Sequence, residues 1–589
     1  TVEAKRFAAS AHGEFGCPAC HSAMTEYPHP EKPAAPDCAV CHEDAVAGYH
    51  GGVHATPVPP DGKPVAGCGS CHGNIHAVVT HENAASPVHW ANVAGTCARC
   101  HADEELAARF HIPVVRPVES YLRSVHAAAV AAGKHGAVCS DCHGAHEIVP
   151  GTDPRSPLWR IKVPETCGKC HVQELAAYRE SVHGEALARG LRDAPVCTDC
   201  HGEHAILPRS APESPVFSAN IPHEICGRCH ESIRLSEKYG LPQGQAAAFA
   251  DSYHGLALRS GKLTAANCAS CHGVHDIQPS RDPRSHVAPA NLPATCGKCH
   301  PGAGVNFSLG RVHVRPERGG SRAVGWIRIV YLWLIGVVVG GMAIHNLLDL
   351  WRKARRPAPA ERPVLPEPLP ERMSRALRWQ HGLVMLSFPV LVYTGFALKY
   401  PEAWWAMPLL VFETRFGLRG WLHRAAAIVL LASLAWHLGH LLVSRRLRAC
   451  MRGLLWSRRD LLDVVAAFAW ALGLRAQPPR PGRFSYVEKA EYWAFLWGSV
   501  LMAVTGVILW FENAALRYLP KWITDVATAL HFYEAILATL AIVVWHFYWV
   551  VFDPDVYPMD ASWWHGRPPA ARVIERGEDV PPDERDATP

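Results

Sequence analysis

Residues 1–320 contain no long apolar run, one methionine (Met24) and two of the chain's 20 tryptophans, Trp90 and Trp159. Without apolar runs this half cannot cross a membrane, and it has little material for an ordinary hydrophobic core. The scarcity of methionine nearly removes the thioether as a metal ligand. Residues 321–589 contain the other 18 tryptophans and all of the long apolar runs, so the chain predicts two unlike halves.

What the first half has is cysteine and histidine in a fixed pattern. Twenty of the 21 cysteines lie in ten Cys-x-x-Cys-His motifs. In such a motif the two thiols bond a haem and the following histidine binds its iron, so each motif predicts a c-type haem site. The use of every cysteine in the region argues against structural zinc and against disulfides. The predicted attachment and proximal residues are Cys17, Cys20, His21; Cys38, Cys41, His42; Cys68, Cys71, His72; Cys97, Cys100, His101; Cys139, Cys142, His143; Cys167, Cys170, His171; Cys197, Cys200, His201; Cys226, Cys229, His230; Cys268, Cys271, His272; and Cys296, Cys299, His300.

The motifs form five pairs. Their first cysteines are Cys17 with Cys38, Cys68 with Cys97, Cys139 with Cys167, Cys197 with Cys226, and Cys268 with Cys296. The spacing is nearly constant after the first pair, which indicates an internal repeat of five two-haem units. Haem should supply most of the core, since about thirty residues per haem cannot build one. Short helices are expected after several motifs, for example at Val172–Ser181.

The motifs also predict a compartment. Covalent haem attachment takes place outside the cytoplasm, so residues 1–320 are expected in the periplasm. No signal peptide is visible at Thr1, and the chain is interpreted as a mature product whose leader has been removed. The formal charge of +5 omits the haem propionates, so it gives no nucleic-acid signal and no nucleic-acid partner is expected.

Histidines are also the expected sixth ligands. Eighteen remain in residues 1–320 beyond the ten proximal ones, and two contexts select among them. One is Cys-His-Gly-x-His, whose last histidine is too close to its own haem and should bind a neighbouring one. The other is a histidine that follows a motif after a small helix or stands in a Ser-x-His sequence. The predicted distal ligands are His12, His54, His76, His126, His146, His183, His204, His254, His275 and His313.

Some of these assignments compete with others, since His50 is an alternative to His54 and any one of the ten could be a surface histidine. Bis-histidine ligation fills both axial positions and avoids the potential-raising methionine. It therefore predicts electron carriage at low potential rather than chemistry on a small molecule.

Five apolar stretches in the second half are long enough to cross a membrane. They are about Val324–Leu350, Leu383–Leu398, Leu422–Val443, Tyr492–Trp510 and Leu530–Val551. The loops after the first and third carry 8 and 10 basic residues, whereas the other two carry three and two. The positive-inside rule puts the basic loops in the cytoplasm and the first half in the periplasm.

The expected fold class is all-α: a loop-rich, haem-packed decahaem domain followed by a transmembrane helical bundle. Its expected parts are a periplasmic domain at 1–320, an anchor helix at 321–356, a Pro-rich cytoplasmic linker at 357–372, a four-helix di-haem domain at 373–552 and a cytoplasmic tail at 553–589.

Histidines inside membrane spans are costly and usually functional. His423 and His437 share one face of their predicted helix, as do His531 and His546 of theirs, and each pair is separated by a rise of about 21–22 Å. This spacing predicts two stacked b-type haems. His423 and His531 begin spans of the same direction and can share the outer haem, while the partner of His546 at the cytoplasmic side stays open.

At this point the sequence resembles the di-haem cytochrome b subunits of formate dehydrogenase and nickel–iron hydrogenase. The matching stretches are Arg378-Trp-Gln-His381, Leu422-His423-Arg424 and His531 with His546-Phe-Tyr. The resemblance implies His381, His423, His531 and His546 as ligands. His437 is the alternative to His381, as in respiratory cytochrome bc complexes. His345 with His437 and His440 would allow a third b haem, and the other interpretation is buried, hydrogen-bonded histidines.

The whole chain resembles multihaem cytochrome c–cytochrome b fusions of metal-respiring bacteria, for example at 484–493 and 552–559. That resemblance implies the bacterial inner membrane and exchange with menaquinone or ubiquinone. Quinone candidates are His546, His381 and the polar entry to the fourth span, Tyr486, Glu488 and Lys489, which could equally be an ordinary interface. Glu534 could relay protons or orient a ligand histidine.

Three functions are compatible with these patterns. The leading one is quinol oxidation through the b haems to ten c haems and on to periplasmic cytochromes or another periplasmic oxidoreductase. The second is a quinone-reducing subunit fed by a periplasmic dehydrogenase, hydrogenase or cytochrome. The third, a terminal reductase, needs a haem with an open axial position, which the supply of histidines disfavours.

Overall fold

The computed structural model describes residues 2–22, 24, 28, 35–58, 63–110, 112, 116–308, 313, 322–355, 371–413, 417–479 and 482–569. Residues 357–370 of the predicted linker and residues 570–589 of the predicted tail lie outside the described residues. The chain divides into two compact units. The first is Thr1–Ala246 with Ala266–Asn291, and the second is Ala247–Ala265 with Leu292–Pro589.

The described residues between 2 and 308 form mainly short helices joined by turns. The α-helices are Ala4–Ala8, Cys17–Cys20, Glu43–Gly51, Cys68–His72, Val93–His101, Glu104–Arg109, Pro117–Leu122, Val125–Ala131, Cys139–His143, Val163–Gly168, Val172–Glu180, Val182–Ala188, Cys197–His201, Arg228–His230, Ile233–Tyr239, Gln245–Asp251, Tyr253–Arg259, Cys268–His272, Leu292–Gly297 and Val305–Ser308. Short 3₁₀ turns lie at Cys38–Val40, Val53–Ala55, Ile75–Ala77 and Arg160–Lys162, and a π-helix at Ile221–Gly227. The described strands are Pro57–Val58 and Lys63–Pro64, which pair antiparallel.

Several motifs are themselves one helical turn, as at Cys68–His72. Helix positions i, i+3 and i+4 share a face, so both thiols and the imidazole of such a motif project to the same side. Where the sequence continues Cys-His-Gly, the glycine has a positive φ, for example 79° at Gly73 and 81° at Gly144. Only glycine adopts this conformation readily, and it ends the motif helix before the second histidine.

The Ser-x-His context is a helix start. Ser124, Ser181 and Ser252 are N-caps whose hydroxyls accept from the third backbone N–H of the following helix. The distal histidine therefore lies in the first turn. In the first unit the same helix is tied to a later repeat, because Val182 N–H donates to the carbonyl of Ile277 just as Val125 N–H donates to that of Ile206.

The second unit contains five helices long and apolar enough to cross a membrane, which confirms the predicted number of spans. They are Arg322–Ala354, Arg375–Lys399, Leu418–Val443, Tyr486–Trp510 and Lys521–Phe552, the last with π-helical stretches at Ile542–His546 and Tyr548–Phe552. Shorter helices of this unit are Met407–Leu410, Arg445–Arg452, Arg458–Ala471, Glu512–Tyr518 and Ser562–His565.

The second membrane helix is longer than the predicted span. It starts at Arg375, where the hydroxyl of Ser374 caps it, so the polar sequence before the apolar run is helical too. This extension places His381 inside the helix rather than before it. Apart from the two-residue strands, all regular secondary structure in the described residues is helical, in agreement with the predicted all-α class.

The first membrane helix is attached to the fifth by polar side chains. Tyr331 donates to Glu534 (3.0 Å), and Asn346 donates to the carbonyl of Val544 (2.6 Å). Near its end Lys353 is 5 % exposed and lies 2.7 Å from Asp553. The helix predicted as an anchor therefore has polar contacts with the fifth membrane helix and with the segment that follows it.

Candidate functional site

The recurring arrangement in this chain is a facing pair of histidines. Among the described residues, no group of three or more His, Cys, Asp or Glu side chains could hold a metal ion by itself. Two imidazoles that bind one iron from opposite sides have ring centres about 6 Å apart, because each metal–nitrogen bond is about 2.0–2.1 Å. This distance tests whether the histidine pairs fit haem.

Nine motif histidines face a predicted distal histidine at this spacing. The ring-centre distances are 6.1 Å for His21–His76, 6.0 Å for His42–His12, 6.3 Å for His72–His146, 6.2 Å for His101–His54, 6.1 Å for His143–His204, 6.3 Å for His171–His126, 6.2 Å for His201–His275, 6.4 Å for His230–His183 and 6.0 Å for His300–His254. His272 and His313 are among the described residues, and their pairing stays a prediction. His50 packs on Tyr49 instead (5.3 Å).

The pairs follow a rule of exchange between repeats. Odd-numbered motifs face the histidine that follows the second motif downstream, as His143 of the fifth motif faces His204 after the seventh. Even-numbered motifs face a histidine that lies upstream of the preceding motif, as His230 of the eighth faces His183. Each of the three inner repeats thus gives one histidine to the following repeat and one to the preceding repeat.

Burial keeps these imidazoles in the form that binds metal. It lowers the pKa of His183 to about 4, with a smaller effect from His230. Burial also lowers the pKa of His143 and His201. A neutral ring has an unprotonated nitrogen available as a ligand.

Two further pairs lie in the membrane helices. The ring centres of His423 and His531 are 6.4 Å apart, and those of His381 and His546 are 6.3 Å apart. His437, the alternative partner of His546, lies instead 2.9 Å from Gln380 Oε1 and 3.1 Å from the hydroxyl of Tyr492. His345 lies 2.6 Å from the hydroxyl of Tyr486, so it does not face a second histidine.

Two threonines orient the pair His423–His531. The hydroxyl of Thr394 donates to the carbonyl of Val390 (2.6 Å), so it accepts from Nδ1–H of His423 (2.8 Å). Thr505 binds His531 in the same way, at 2.9 Å. Both rings therefore keep the proton on Nδ1, which leaves Nε2 unprotonated and able to bind a metal.

The pair His381–His546 has different support. His546 Nδ1 lies 3.4 Å from a carboxylate oxygen of Glu491, whereas the buried Nδ1 of His381 has no hydrogen-bond partner. A carboxylate beside Nδ1 makes an imidazole more electron-donating than a hydroxyl does. The Nδ1 atoms of the two membrane pairs therefore have unequal hydrogen-bonding support.

The other polar candidates have partners within the protein. Lys489 pairs with Asp460 (2.8 Å), and Glu488 caps its helix at Ser485 and contacts Arg372. Glu534 accepts from Tyr331, while Thr505 rather than Glu534 binds His531.

The tenth motif lies in the same compact unit as the membrane helices. Nδ1–H of His300 donates to Oδ1 of Asn513, 2.7 Å away, in the helix Glu512–Tyr518 between the fourth and fifth spans. Two ion pairs support this region, Arg259–Glu402 (3.1 Å) and Lys399–Asp251 (3.1 Å).

Sequence reasoning missed Thr394, Thr505, Glu491 and Asn513. A usable signal was present for the threonines, since both are followed by glycine and lie in apolar helices. His531 packs near Gly506, where a Cβ would lie 3.4 Å from its ring. Nothing in the local sequence marks Asn513.

Four helices with two facing histidine pairs define a membrane-embedded b-type cytochrome that acts in electron transfer. Residues 372–557 match the prokaryotic cytochrome b561 family, and this segment contains all four helices and both pairs. No curated protein matches the chain. The match does not extend over the ten cysteine motifs.

Proposed function

We propose that this chain transfers electrons between the quinone pool and periplasmic redox partners, by oxidising quinol and passing the electrons to its ten-motif half. The observation that carries the proposal is the spacing of the histidine pairs. Nine in the motif region and two in the membrane helices have ring centres 6.0–6.4 Å apart. This is the spacing that one iron between two imidazoles requires.

The ten motifs would hold haem c, and His381, His423, His531 and His546 would hold two haems b. Haem at these positions supplies reversible one-electron carriage. The chain's own residues bind, orient and tune it. If haem is held at these pairs, the second histidine would occupy the position that a substrate needs, which favours electron transfer over reduction of a small molecule.

The proposed orientation places the motif half in the periplasm of a bacterium and the C-terminus in the cytoplasm. The basic loops after the first and third spans support it. The tenth motif agrees, since Asn513, which binds His300, and Glu402, which pairs with Arg259 on the helix that carries His254, belong to the two loops with few basic residues.

The tenth motif is the proposed junction between the two halves. Lys521, in electrostatic range of His254, starts the fifth span, and His531 follows about 15 Å further along the helix. Arg419, in electrostatic range of Tyr253, precedes His423 by one turn. The helices of both proposed outer ligands thus carry a charged residue near the helix Tyr253–Arg259, which provides the partner of His300.

The proposed site for menaquinone or ubiquinone is the other end of the bundle, near His381 and His546. Tyr486, Glu488 and Lys489 are occupied by protein partners. Glu491, whose carboxylate lies 3.4 Å from Nδ1 of His546, is the additional polar group at this place.

The test mixes the purified, oxidised full-length protein with a menaquinol analogue under anaerobic conditions and follows the b and c absorption bands separately by stopped flow. We expect the b bands to be reduced before the c bands. His546→Ala should abolish both phases, whereas His440→Gln, a change in a neighbouring helix, should leave them in place. Reduction of c bands without prior b reduction would refute the proposed path.

The same preparation tests the direction. If quinol leaves the protein oxidised, but quinone oxidises the dithionite-reduced protein, the chain feeds electrons to quinone and the leading proposal is wrong. The donor would then be sought among periplasmic oxidoreductases.

A further inference from the structure

The second and fourth membrane helices repeat each other. Each has 25 residues, and each begins after a serine, Ser374 or Ser485, whose hydroxyl caps the third backbone N–H. When these two serines are aligned, Thr394-Gly395 falls on Thr505-Gly506 without a gap. Equal length, equal caps and equal ligand-supporting residues indicate a duplicated helix.

The third and fifth helices repeat each other as well. Leu422-His423 matches Leu530-His531, and Trp436-His437 matches Trp545-His546 once a single extra residue is allowed in the fifth helix. The fifth helix becomes π-helical between its two matches, at Ile542–His546. A π-bulge is how a helix accommodates one inserted residue.

The contacts inside the two helix pairs are equivalent. Thr394 binds His423 as Thr505 binds His531. At the other end Gln380 binds Nδ1 of His437 (2.9 Å), and the matching residue Glu491 lies beside Nδ1 of His546 (3.4 Å).

The contacts between the two helix pairs differ at one position. His423 and His531 match each other, so their pair lies on the axis of the repeat. The pair His381–His546 has as its counterpart Tyr492–His437, with ring centres 5.9 Å apart. Tyrosine stands where the repeat would place the second histidine.

We infer that the second to fifth membrane helices are an internal duplication. It provides two equivalent sites, His381–His546 and Tyr492–His437, and Tyr492 closes the second of them to haem. This inference rests on the proposed ligand role of His381 and His546. The hydroxyl of Tyr492 is 3.1 Å from Nε2 of His437. Two metal–ligand bonds of about 2.0–2.1 Å need ligand atoms about 4 Å apart, so this hydrogen bond leaves no room for iron. Tyr492 is therefore the residue that sets the number of b haems at two.

The test exchanges the two positions and measures haem b and haem c contents of the full-length protein by pyridine haemochrome spectra. His381→Tyr should lower haem b from two to one per ten haems c. Adding Tyr492→His should restore two, because the inner haem moves to His437. In the same double variant His437→Ala should remove it again.

Each outcome is informative. If the double variant holds one haem b or none while its haem c content is unchanged, the duplication does not provide a second site and the inference is wrong. If His381→Tyr alone keeps two haems b, the ligand assignment fails, and the proposed function must be revised before the repeat is judged. Tyr492→Phe is the matched control, and it should keep two haems b because phenylalanine provides no ligand.

Discussion

Asn513 offers the sharpest test of how the two halves are joined. Its Oδ1 accepts from Nδ1–H of His300, the proximal histidine of the tenth motif, at 2.7 Å. An acceptor on Nδ1 makes the imidazole more electron-donating and favours oxidised iron. Asn513→Leu removes the acceptor, so we expect the potential of that single site to rise.

The size of the shift follows from the hydrogen bond. The potential changes only by the difference in hydrogen-bond strength between oxidised and reduced iron, so a whole bond of about 0.5–1.5 kcal/mol sets an upper limit of about 20–65 mV for one electron. The lower half of that range is expected, because the Asn513 contact is exposed to solvent. Asn513→Asp keeps an acceptor and adds negative charge, so it should shift the potential downward.

The assay is a spectroelectrochemical titration of the c absorption band, compared with the unchanged protein. One tenth of the amplitude should move, upward for Asn513→Leu and downward for Asn513→Asp. Tyr518→Phe, an exposed change on the same short helix, is the control and should move nothing. Shifts of the same sign in both Asn513 variants would refute the argument, as would unshifted curves.

Three other predictions concern stability and ligand support. Lys353→Met leaves buried Asp349 and Asp553 without their cation and should cost about 3–5 kcal/mol, seen as a lower unfolding temperature of the b absorption band; an unchanged temperature would contradict it. Thr505→Val removes the acceptor of His531 Nδ1–H and should change the low-spin EPR signal of one b haem while the other is unaffected; a change in both would contradict it. Ser181→Ala removes the cap of the helix that carries His183 and should cost about 1 kcal/mol in denaturant unfolding of the motif half; a cost below the error of that measurement would show that the cap is dispensable.

Local patterns account for what the sequence could predict. A Cys-x-x-Cys-His motif needs only one helical turn to bring its ligands to one side, and an apolar run of about 20 residues spans a membrane by itself. The five membrane helices therefore follow from composition. The polar first turns of the second and fourth membrane helices do not follow from composition. These helices begin at Arg375 and Tyr486 because serine caps precede them, and not because the residues there are hydrophobic.

Pairing between distant residues was harder to predict. The contexts Ser-x-His and Cys-His-Gly-x-His select candidate distal histidines, but they do not say which proximal histidine each will face. His54 faces His101 of the following repeat, and His146 faces His72 of the preceding one, because neighbouring repeats exchange ligands in both directions. That exchange depends on how the repeats pack, which no single repeat encodes.

The exchange also has consequences for folding. One cluster of buried apolar residues in the first unit is small and consists of Val163, Leu187, Ala194 and Val196. Apart from His12–His42, each histidine pair described there joins two repeats. In the proposed loaded protein, metal binding at a pair is also folding free energy for both repeats. Losing one distal histidine should therefore loosen two repeats, the one that provides it and the one that receives it, and the effect should fade beyond these neighbours as in other repeat proteins.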